Sequence, residues 1–399
     1  MPGDTDALIS GSSNNADRGI LRSAFLLPSV MPVTSRHEKL KYDHFPAGLY
    51  FHSSPSILDF GKSTAMKLGN LQRVAFLSSA LLLLAACSDN LDRRTYVLTT
   101  GTTGGTFYPV GVALSTLVTA NETVDFSLTA ISSAGSMENI KLLRDNQAQF
   151  GMILGIFGAW AWDGEGPIRS PQPHLRSISA MWPNVEHFIL LTDMVEEGTL
   201  SDLNLLDGDR FVMGMRNSGA EQTGIFILDA LGIDYASKFN LAYMGYGATA
   251  SAIQDGNIVG MNIPAGAPVT AVTQAYAQLG ARMTILDFSE AEMTAINQRY
   301  PLWDFYELAP GTYPYQDKVI TTASSPNILV VREDVDEAIV YNLTKLLWDN
   351  LATLQEIHSA TKEMLLEEAL KGIAVPLHAG ALRFYQEQSL SIPEHLLSQ

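Results

Sequence analysis

Three short loops, rich in glycine and in residues with hydroxyl groups, contain the residues of this chain that are best suited to bind a ligand. They are Gly101-x-x-Gly104-Gly105-Thr106, Ser132-Ser133-x-Gly135-Ser136 and Asn217-Ser218-Gly219. Each loop lies between a strand-like run and a helical pattern, so that free backbone N–H groups and the helix dipole would favour an anion. The first loop lacks the spacing of nucleotide-binding loops, and on its own it is also compatible with a plain tight turn. Three such loops together favour a site for a carboxylate.

Residues for catalysis or metal binding follow no pattern that we recognise. The sequence has no G-x-S-x-G elbow, no H-E-x-x-H helix and no Cys/His metal spacing. Its histidines after Cys87 are scattered, and each is better explained as structural. We therefore predict no catalytic residue, no metal and no cofactor. An enzyme built on the same scaffold is the alternative of a different class.

The elements around the loops alternate between strand and helix, which is typical of an α/β protein. Residues 96–99 and 124–131 are predicted strands, and the helix after the second one is expected to be capped by Ser136. Residues 211–215 begin a similar strand–loop–helix unit in the second half of the chain. Residues 287–316 interrupt the alternation of strands and helices, and we predict a long excursion there and not a domain boundary. The last 65 residues are predicted to be mainly helical.

The segment 66–87 has the pattern of a bacterial lipoprotein signal. Lys67 and Arg73 precede an apolar run, and Leu84-Ala85-Ala86-Cys87 ends it with the only cysteine of the chain. The run is short of the roughly 20 apolar residues that span a bilayer. We predict export to the periplasm and a lipid anchor on Cys87. The alternative is a buried helix that ends in a lone cysteine.

Residues 1–65 precede this signal, so Met66 is the expected initiator. The leader is rich in Ser, Gly and Pro without sustained periodicity, and we predict it to be disordered or untranslated. A regulatory extension is the alternative.

The charge of the chain limits its partners. With 25 basic and 42 acidic residues, the formal net charge is −17 at pH 7. Such a surface repels nucleic acid and anionic lipid, so nucleic acid is not an expected partner. Solubility explains most of this charge.

Several short motifs follow one another along residues 95–390. They are residues 100–111, Gly135-Ser136-Met137-Glu138-Asn139, Ala161-x-Asp163-Gly164, Met181-Trp182-Pro183, Asp255-Gly256-Asn257-Ile258, Gly266-Ala267-Pro268, Gly311-Thr312-Tyr313-Pro314 and Pro376-Leu377-His378-Ala379-Gly380-Ala381. Taken together and in this order, they resemble the solute-binding proteins of TAXI-type TRAP transporters.

This resemblance implies a type II periplasmic-binding-protein fold, with two α/β lobes joined by crossing hinge strands. Lobe one is expected at residues 88–187 together with 328–399, and lobe two at 188–327. The implied function is to bind a small organic anion, such as a glutamate-like amino or keto acid, and to deliver it to a sodium-coupled membrane permease.

The resemblance also implies the ligand-binding positions. Lobe one supplies them from its first two loops, and lobe two supplies the third loop and an opposite rim. They are Thr103, Gly105, Thr106, Phe107, Tyr108, Ser133, Ser136, Asn139, Asn217, Ser218, Gly219, Gln222, Thr223, Pro264, Ala265 and Gly266.

Two departures from the family pattern make the expected cleft less polar. Leu154-Gly155-Ile156 stands where relatives have a polar Gln-Ser-Asp stretch, and Gly260-Met261-Asn262 stands where an Asp-Ala pair is common. A more apolar acid is therefore a rival to glutamate. Arg216 is the only cation immediately beside a loop, either as a ligand group or as an exposed strand end. Receptors of ABC importers for a pyrimidine precursor or a sulfonate, and a lipid-anchored solute sensor, are the alternative functions.

Overall fold

A computed structural model of the protein describes residues 93–397. The strands, in chain order, are β1 Arg94–Thr99, β2 Phe126–Ile131, β3 Phe150–Leu154, β4 Leu175–Val185, β5 Phe188–Leu191, β6 Arg210–Val212, β7 Asn240–Ala242, β8 Gly260–Asn262, β9 Met283–Ile285, β10 Asp304–Leu308 and β11 Ile320–Arg332. The α-helices are α1 Phe107–Ala120, α2 Ser136–Arg144, α3 Gly155–Asp163, α4 Gly219–Ala230, α5 Tyr235–Lys238, α6 Tyr246–Gln254, α7 Thr270–Leu279, α8 Glu290–Ile296, α9 Glu337–Asp349, α10 Leu351–Ile357 and α11 Ala379–Glu387. Short 3₁₀ helices are Thr192–Met194, Leu200–Leu205, Gly280–Arg282, Ser359–Glu363, Leu366–Glu368 and Glu394–Leu396.

The strands form two sheets with the same internal order. In the first sheet the order is β2-β1-β3-β11, and β4 pairs with β11 on its other side. In the second sheet the order is β7-β6-β8-β5-β9. Each sheet therefore has three parallel strands in the order second, first, third, followed by one antiparallel strand that arrives from the other part of the chain.

Two strand connections join the lobes. β4 belongs to the first sheet, and β5, which starts only three residues after β4 ends, belongs to the second. The return is made through β11, whose first half pairs with β10 and whose second half pairs with β3. The predicted α/β class, with two lobes joined by crossing strands, is confirmed.

The apolar residues explain why the lobes form. The central strands β3 and β11 of the first sheet are mostly buried, as expected for strands covered by helices on both faces, and all five residues of β3 are buried. Helix α1 turns Val110, Leu114 and Val118 onto that sheet. A separate cluster in lobe two gathers residues such as Val212, Met261 and Ile285.

Most predicted elements agree with the structure. The strands at 96–99 and 124–131 correspond to β1 and β2, and the C-terminal region is mainly helical. The excursion at 287–316 contains α8 and β10, and β10 is a full antiparallel partner of β11. The predicted Ser136 cap is wrong, because Gly135, with φ 107°, occupies the cap position and no side chain caps α2. No helix among residues 93–397 combines the length and apolar character needed to cross a membrane.

Candidate functional site

A small cavity of about 50 Å³ lies between the two lobes. Its walls come from β3 and β4 of the first sheet and from loops and helix starts of both lobes. The lining residues are Gly101, Thr102, Gly105, Thr106, Phe107, Ala134, Gly135, Ser136, Leu154, Asn184, Met215, Ser218, Gly219, Ala220, Tyr246, Pro264 and Ala265.

Four helices begin at this cavity. Thr106, Gly135, Leu154 and Ser218 are the N-cap residues of α1, α2, α3 and α4, and all four line the cavity. The first N–H groups of a helix have no acceptor within the helix, and the helix dipole gives this end a partial positive charge. The cavity therefore presents backbone donors to a negatively charged group without using a cationic side chain.

Hydroxyl groups hold these helix ends in place. Thr106 Oγ1 of lobe one donates to the carbonyl oxygen of Gly266 in lobe two at 2.7 Å. Ser136 Oγ accepts from the Leu154 N–H at 3.0 Å, and Ser218 Oγ caps α4 by accepting from the Glu221 N–H. Because Ser136 and Ser218 accept through oxygen in these bonds, their hydroxyl protons are free to donate to a ligand.

Two polar side chains of the lining have no hydrogen-bond partner within residues 93–397. Asn184 is fully buried, and neither its Oδ1 nor its Nδ2 is bonded. The Thr102 hydroxyl is also buried without a partner. Buried polar groups are almost always paired, and leaving one unpaired costs about 1–3 kcal/mol. A bound molecule that satisfies them would remove that cost.

The lining contains no charged side chain. Arg216, the cation nearest to the third loop in sequence, stacks its guanidinium over the Tyr243 ring at 3.9 Å and lies outside the lining. Phe107, Leu154 and Met215 supply apolar surface instead. The arrangement suits a small molecule with one anionic group and a limited apolar part.

The structure brings together members of all three predicted loops. The predicted residues that line the cavity are Gly105, Thr106, Phe107, Ser136, Ser218, Gly219, Pro264 and Ala265. Lobe one and lobe two both contribute, and Gly219 approaches Ser136 across the cleft: a Cβ atom added to Gly219 would lie 2.9 Å from Ser136 Oγ. The predicted residues outside the lining are Thr103, Tyr108, Ser133, Asn139, Asn217, Gln222, Thr223 and Gly266.

Asn139 has a structural role that accounts for its position. It is fully buried, and its Nδ2 donates to the carbonyl oxygens of Thr100 and Met152 at 2.6 and 2.7 Å. Its Oδ1 accepts from the hydroxyls of Thr99 and Ser133, both at 2.6 Å. Asn139 and Ser133 therefore tie the ends of β1 and β3 together, and Asn139 has no donor or acceptor left for a ligand.

Asn217 and Gln222 serve the start of α4. The Asn217 N–H and the Gln222 side-chain amide both donate to the Glu221 carboxylate, and Asn217 has a positive φ of 58°. Thr223 is buried one turn into α4, and Gly266 accepts the bond from Thr106. Thr103 is exposed and Tyr108 is half-buried beside the lining.

The lining also includes residues that the sequence did not assign to ligand binding. They are Gly101, Thr102, Ala134, Gly135, Asn184, Met215, Ala220 and Tyr246. Leu154, which the sequence placed in a less polar cleft, also lines the cavity. Several of the unassigned residues neighbour the predicted loops in sequence. Asn184 lies on β4, apart from the predicted loops, and it directly follows the Met181-Trp182-Pro183 motif. Its position beside that motif is the only feature of the sequence that could have indicated a role in the site.

Two buried ionisable residues lie in the connection between β4 and β5. Both oxygens of Glu186 lack a partner within the described chain, and burial raises the pKa of this carboxyl to about 8. Burial lowers the pKa of His187 to about 4, so its ring is neutral at pH 7. His187 Nδ1 donates to the carbonyl oxygens of Val185 and Ile263, and its Nε2 accepts from the Tyr313 hydroxyl at 2.7 Å.

No three His, Cys, Asp or Glu side chains of the described range cluster closely enough to hold a metal ion. Cys87 and the predicted leader and signal segments lie outside the described residues, so these assignments stay predictions.

The strand order of both sheets, with a cleft between the lobes, defines the type II periplasmic-binding-protein fold. This is the fold class that the sequence predicted. The chain belongs to the NMT1-like family, whose model matches residues 98–389.

Solved structures with a similar chain path include three binding domains. The malate-bound MatC protein of Rhodopseudomonas palustris has 10% identity and a TM-score of 0.48, over 74% of this chain and 97% of that one. The ligand-binding core of GluR0 in complex with L-glutamate has 7% identity and a TM-score of 0.39, over 68% and 98%. A zinc-bound ligand-binding component of an ABC-type import system from Staphylococcus aureus has 10% identity and a TM-score of 0.41, over 77% and 97%.

Proposed function

We propose that this protein is an extracytoplasmic solute receptor that captures a small organic carboxylate between its lobes. The supporting observation is the neutral cavity at which four helices begin. Backbone donors at helix N-termini bind a carboxylate without a counter-charge, and closing two lobes around it shields those bonds from water. Such a protein binds and releases its ligand without chemical turnover.

The partner that we propose is the membrane permease of a TAXI-type TRAP transporter. Its support is the ordered set of sequence motifs, including the ending at residues 376–381. In this proposal lipid on Cys87 holds the receptor at the membrane, in the periplasm.

The binding experiment is calorimetry of the purified full-length protein against a panel of solutes. The panel holds L-glutamate, 2-oxoglutarate, lactate, propanoate, phenylpyruvate, a sulfonate, a pyrimidine and a neutral sugar. We expect saturable binding of at least one carboxylate and none of the sugar, because only an anion matches four helix N-termini. Binding of the sugar, or of no carboxylate at all, would contradict the proposed ligand class. Preference for the sulfonate or the pyrimidine would favour a receptor of an ABC importer.

The membrane anchor has its own test. Mass spectrometry of the native protein is expected to find an acylated Cys87 as the first residue, and Cys87→Ala is expected to release the protein from the membrane fraction. The control is Ser88→Ala, which leaves the cysteine in place. Peptides from residues 1–65 in the native protein would show that the chain does not start at Met66.

A further inference from the structure

The fully buried Asn184 side chain restricts which carboxylates the cavity can accept. This inference rests on the proposed function. Asn184 lies near the end of β4, where it pairs in register with Ser325 of β11. This places it on the strands that join the lobes, whereas Thr106, Ser136 and Ser218 lie at helix starts. Asn184 is one of the residues that line the cavity, and it is fully buried.

Both polar atoms of this side chain are unsatisfied, as described above. A carboxamide presents one acceptor and two donors side by side. The ligand that satisfies it must therefore offer a donor and an acceptor on neighbouring atoms. A carboxylate alone offers only acceptors, and so does a 2-keto acid, which would leave Asn184 Oδ1 unpaired.

Two classes of small acid offer the required pair, and the charge of the lining distinguishes them. A 2-hydroxy acid presents its hydroxyl proton beside a carboxylate oxygen, and a 2-amino acid presents an ammonium there. An ammonium buried without a counter-charge is strongly disfavoured. The lining has no Asp or Glu side chain. The hydroxyl group of a 2-hydroxy acid is uncharged and needs no counter-charge.

The size of the cavity restricts the acid further. One buried water needs roughly 10–15 Å³ of volume measured this way. A cavity of about 50 Å³ therefore has room for a molecule of only a few heavy atoms.

We propose that the cavity selects small 2-hydroxy carboxylates and that Asn184 is the residue that reads the 2-hydroxyl group. Asn184 Oδ1 accepts the hydroxyl proton, and Nδ2 donates to the neighbouring carboxylate oxygen. The second carboxylate oxygen faces the helix starts, where Ser136 and Ser218 can also donate. Phe107 and Leu154 cover the apolar end of the acid.

The test is calorimetry of the full-length protein with four acids that share one carbon skeleton: lactate, propanoate, pyruvate and L-alanine. We expect lactate to bind at least about tenfold more tightly than each of the others, because only lactate satisfies both atoms of Asn184 without burying an unpaired charge. Equal affinity for lactate and propanoate, or tighter binding of pyruvate or alanine, would overturn the inference and leave a carboxylate receptor intact. Absence of binding by all carboxylates of both panels would instead overturn the proposed function.

Two substitutions at the same position assign the selectivity to Asn184. Asn184→Leu keeps the volume and removes both polar atoms, so lactate is expected to lose at least about tenfold in affinity while propanoate changes by less than about threefold. Asn184→Asp adds the missing counter-charge, so alanine is expected to gain on lactate. Asn297→Leu, at an asparagine that bonds the Trp303 backbone away from the cavity, is the matched control and should keep the wild-type order. An unchanged lactate-to-propanoate ratio in Asn184→Leu would overturn the assignment, and the wild-type ratio decides the selectivity even if a variant fails to fold.

Discussion

Substitution of Gly219 by valine is expected to weaken solute binding by about 100-fold. Gly219 is the first residue of α4 in lobe two, and a Cβ atom at this position would lie 2.9 Å from Ser136 Oγ and 3.4 Å from Leu154 Cδ1 of lobe one. Added carbons in a closely packed contact cost about 1–3 kcal/mol, which is roughly 5- to 150-fold in affinity. Valine branches at Cβ, so we expect the upper part of this range.

The physical reason is that the valine acts between the lobes and leaves each lobe intact. A receptor whose ligand bonds come from both lobes gains its affinity only in the closed state, so any group that holds the lobes apart removes the differential binding. We therefore expect small-angle scattering of Gly219→Val to show no compaction on adding the carboxylate that binds the wild type most tightly. Its thermal stability should stay close to that of the wild type.

The matched control is Gly247→Val. Gly247 is also in the first turn of a helix of lobe two, but a Cβ atom there would meet nothing within 4 Å. This variant is expected to bind within about threefold of wild type. Equal loss of affinity in both variants would indicate a general effect of valine at a helix start, and wild-type affinity in Gly219→Val would mean that the site does not require this approach of the lobes.

The sequence predicted the frame of the site because local patterns determine it. Apolar periodicity and glycine-rich breaks located β1, α1 and the loop between them, and the start of α1 lines the cavity. Residue type in a loop was a weaker guide. Asn139 and Ser136 lie in the same loop-to-helix segment. The Asn139 side-chain amide is hydrogen-bonded to the carbonyl oxygens of Thr100 and Met152, whereas Ser136 lines the cavity.

Asn184 and Glu186 were beyond sequence reasoning for a different reason. Asn184 lies near the end of β4 and Glu186 directly follows that strand, where a polar residue ordinarily faces solvent. Their burial comes from the crossing of β4, β5 and β11, which brings together residues more than a hundred positions apart. Such contacts leave no periodic signal in the sequence.

Glu186 is expected to make the protein less stable as the pH rises from 6.5 to 8. An unfolded chain releases the proton of this carboxyl near pH 4.5, whereas in the folded protein burial raises its pKa to about 8. Below pH 4.5 both states are protonated, and the carboxyl adds no pH dependence to the stability. Between the two values the folded state alone keeps the proton, so the free energy of unfolding falls with rising pH, and the loss is complete once the folded state also ionises.

His187 acts in a separate pH window. Burial lowers its pKa from 6.5 to about 4, so its neutral form stabilises the fold fully above pH 6.5, and this contribution is lost as the pH falls through 4. Burial also lowers the pKa values of His174, His358 and His378. The unfolded histidines still release protons just above pH 6.5, and this raises the stability with pH by the same amount in any variant that keeps them. The effect of Glu186 is therefore the difference between the wild type and a variant that differs only at this carboxyl.

Urea unfolding of the wild type and of Glu186→Gln at pH 6.5, 7.25 and 8 measures this effect. One pH unit with one proton difference corresponds to about 1.4 kcal/mol, so the wild type should lose on the order of 2 kcal/mol relative to Glu186→Gln across this range. The variant is the reference because Gln cannot ionise and the histidines are the same in both proteins. Glu122→Gln, at an exposed glutamate, is the control and should keep the wild-type slope. A difference in stability between the wild type and Glu186→Gln that does not change over this range would mean that the Glu186 carboxyl is ionised in the folded protein. The uncharged form is favoured because burial of this carboxyl outweighs the one neighbouring group that favours its charge, the Trp303 indole.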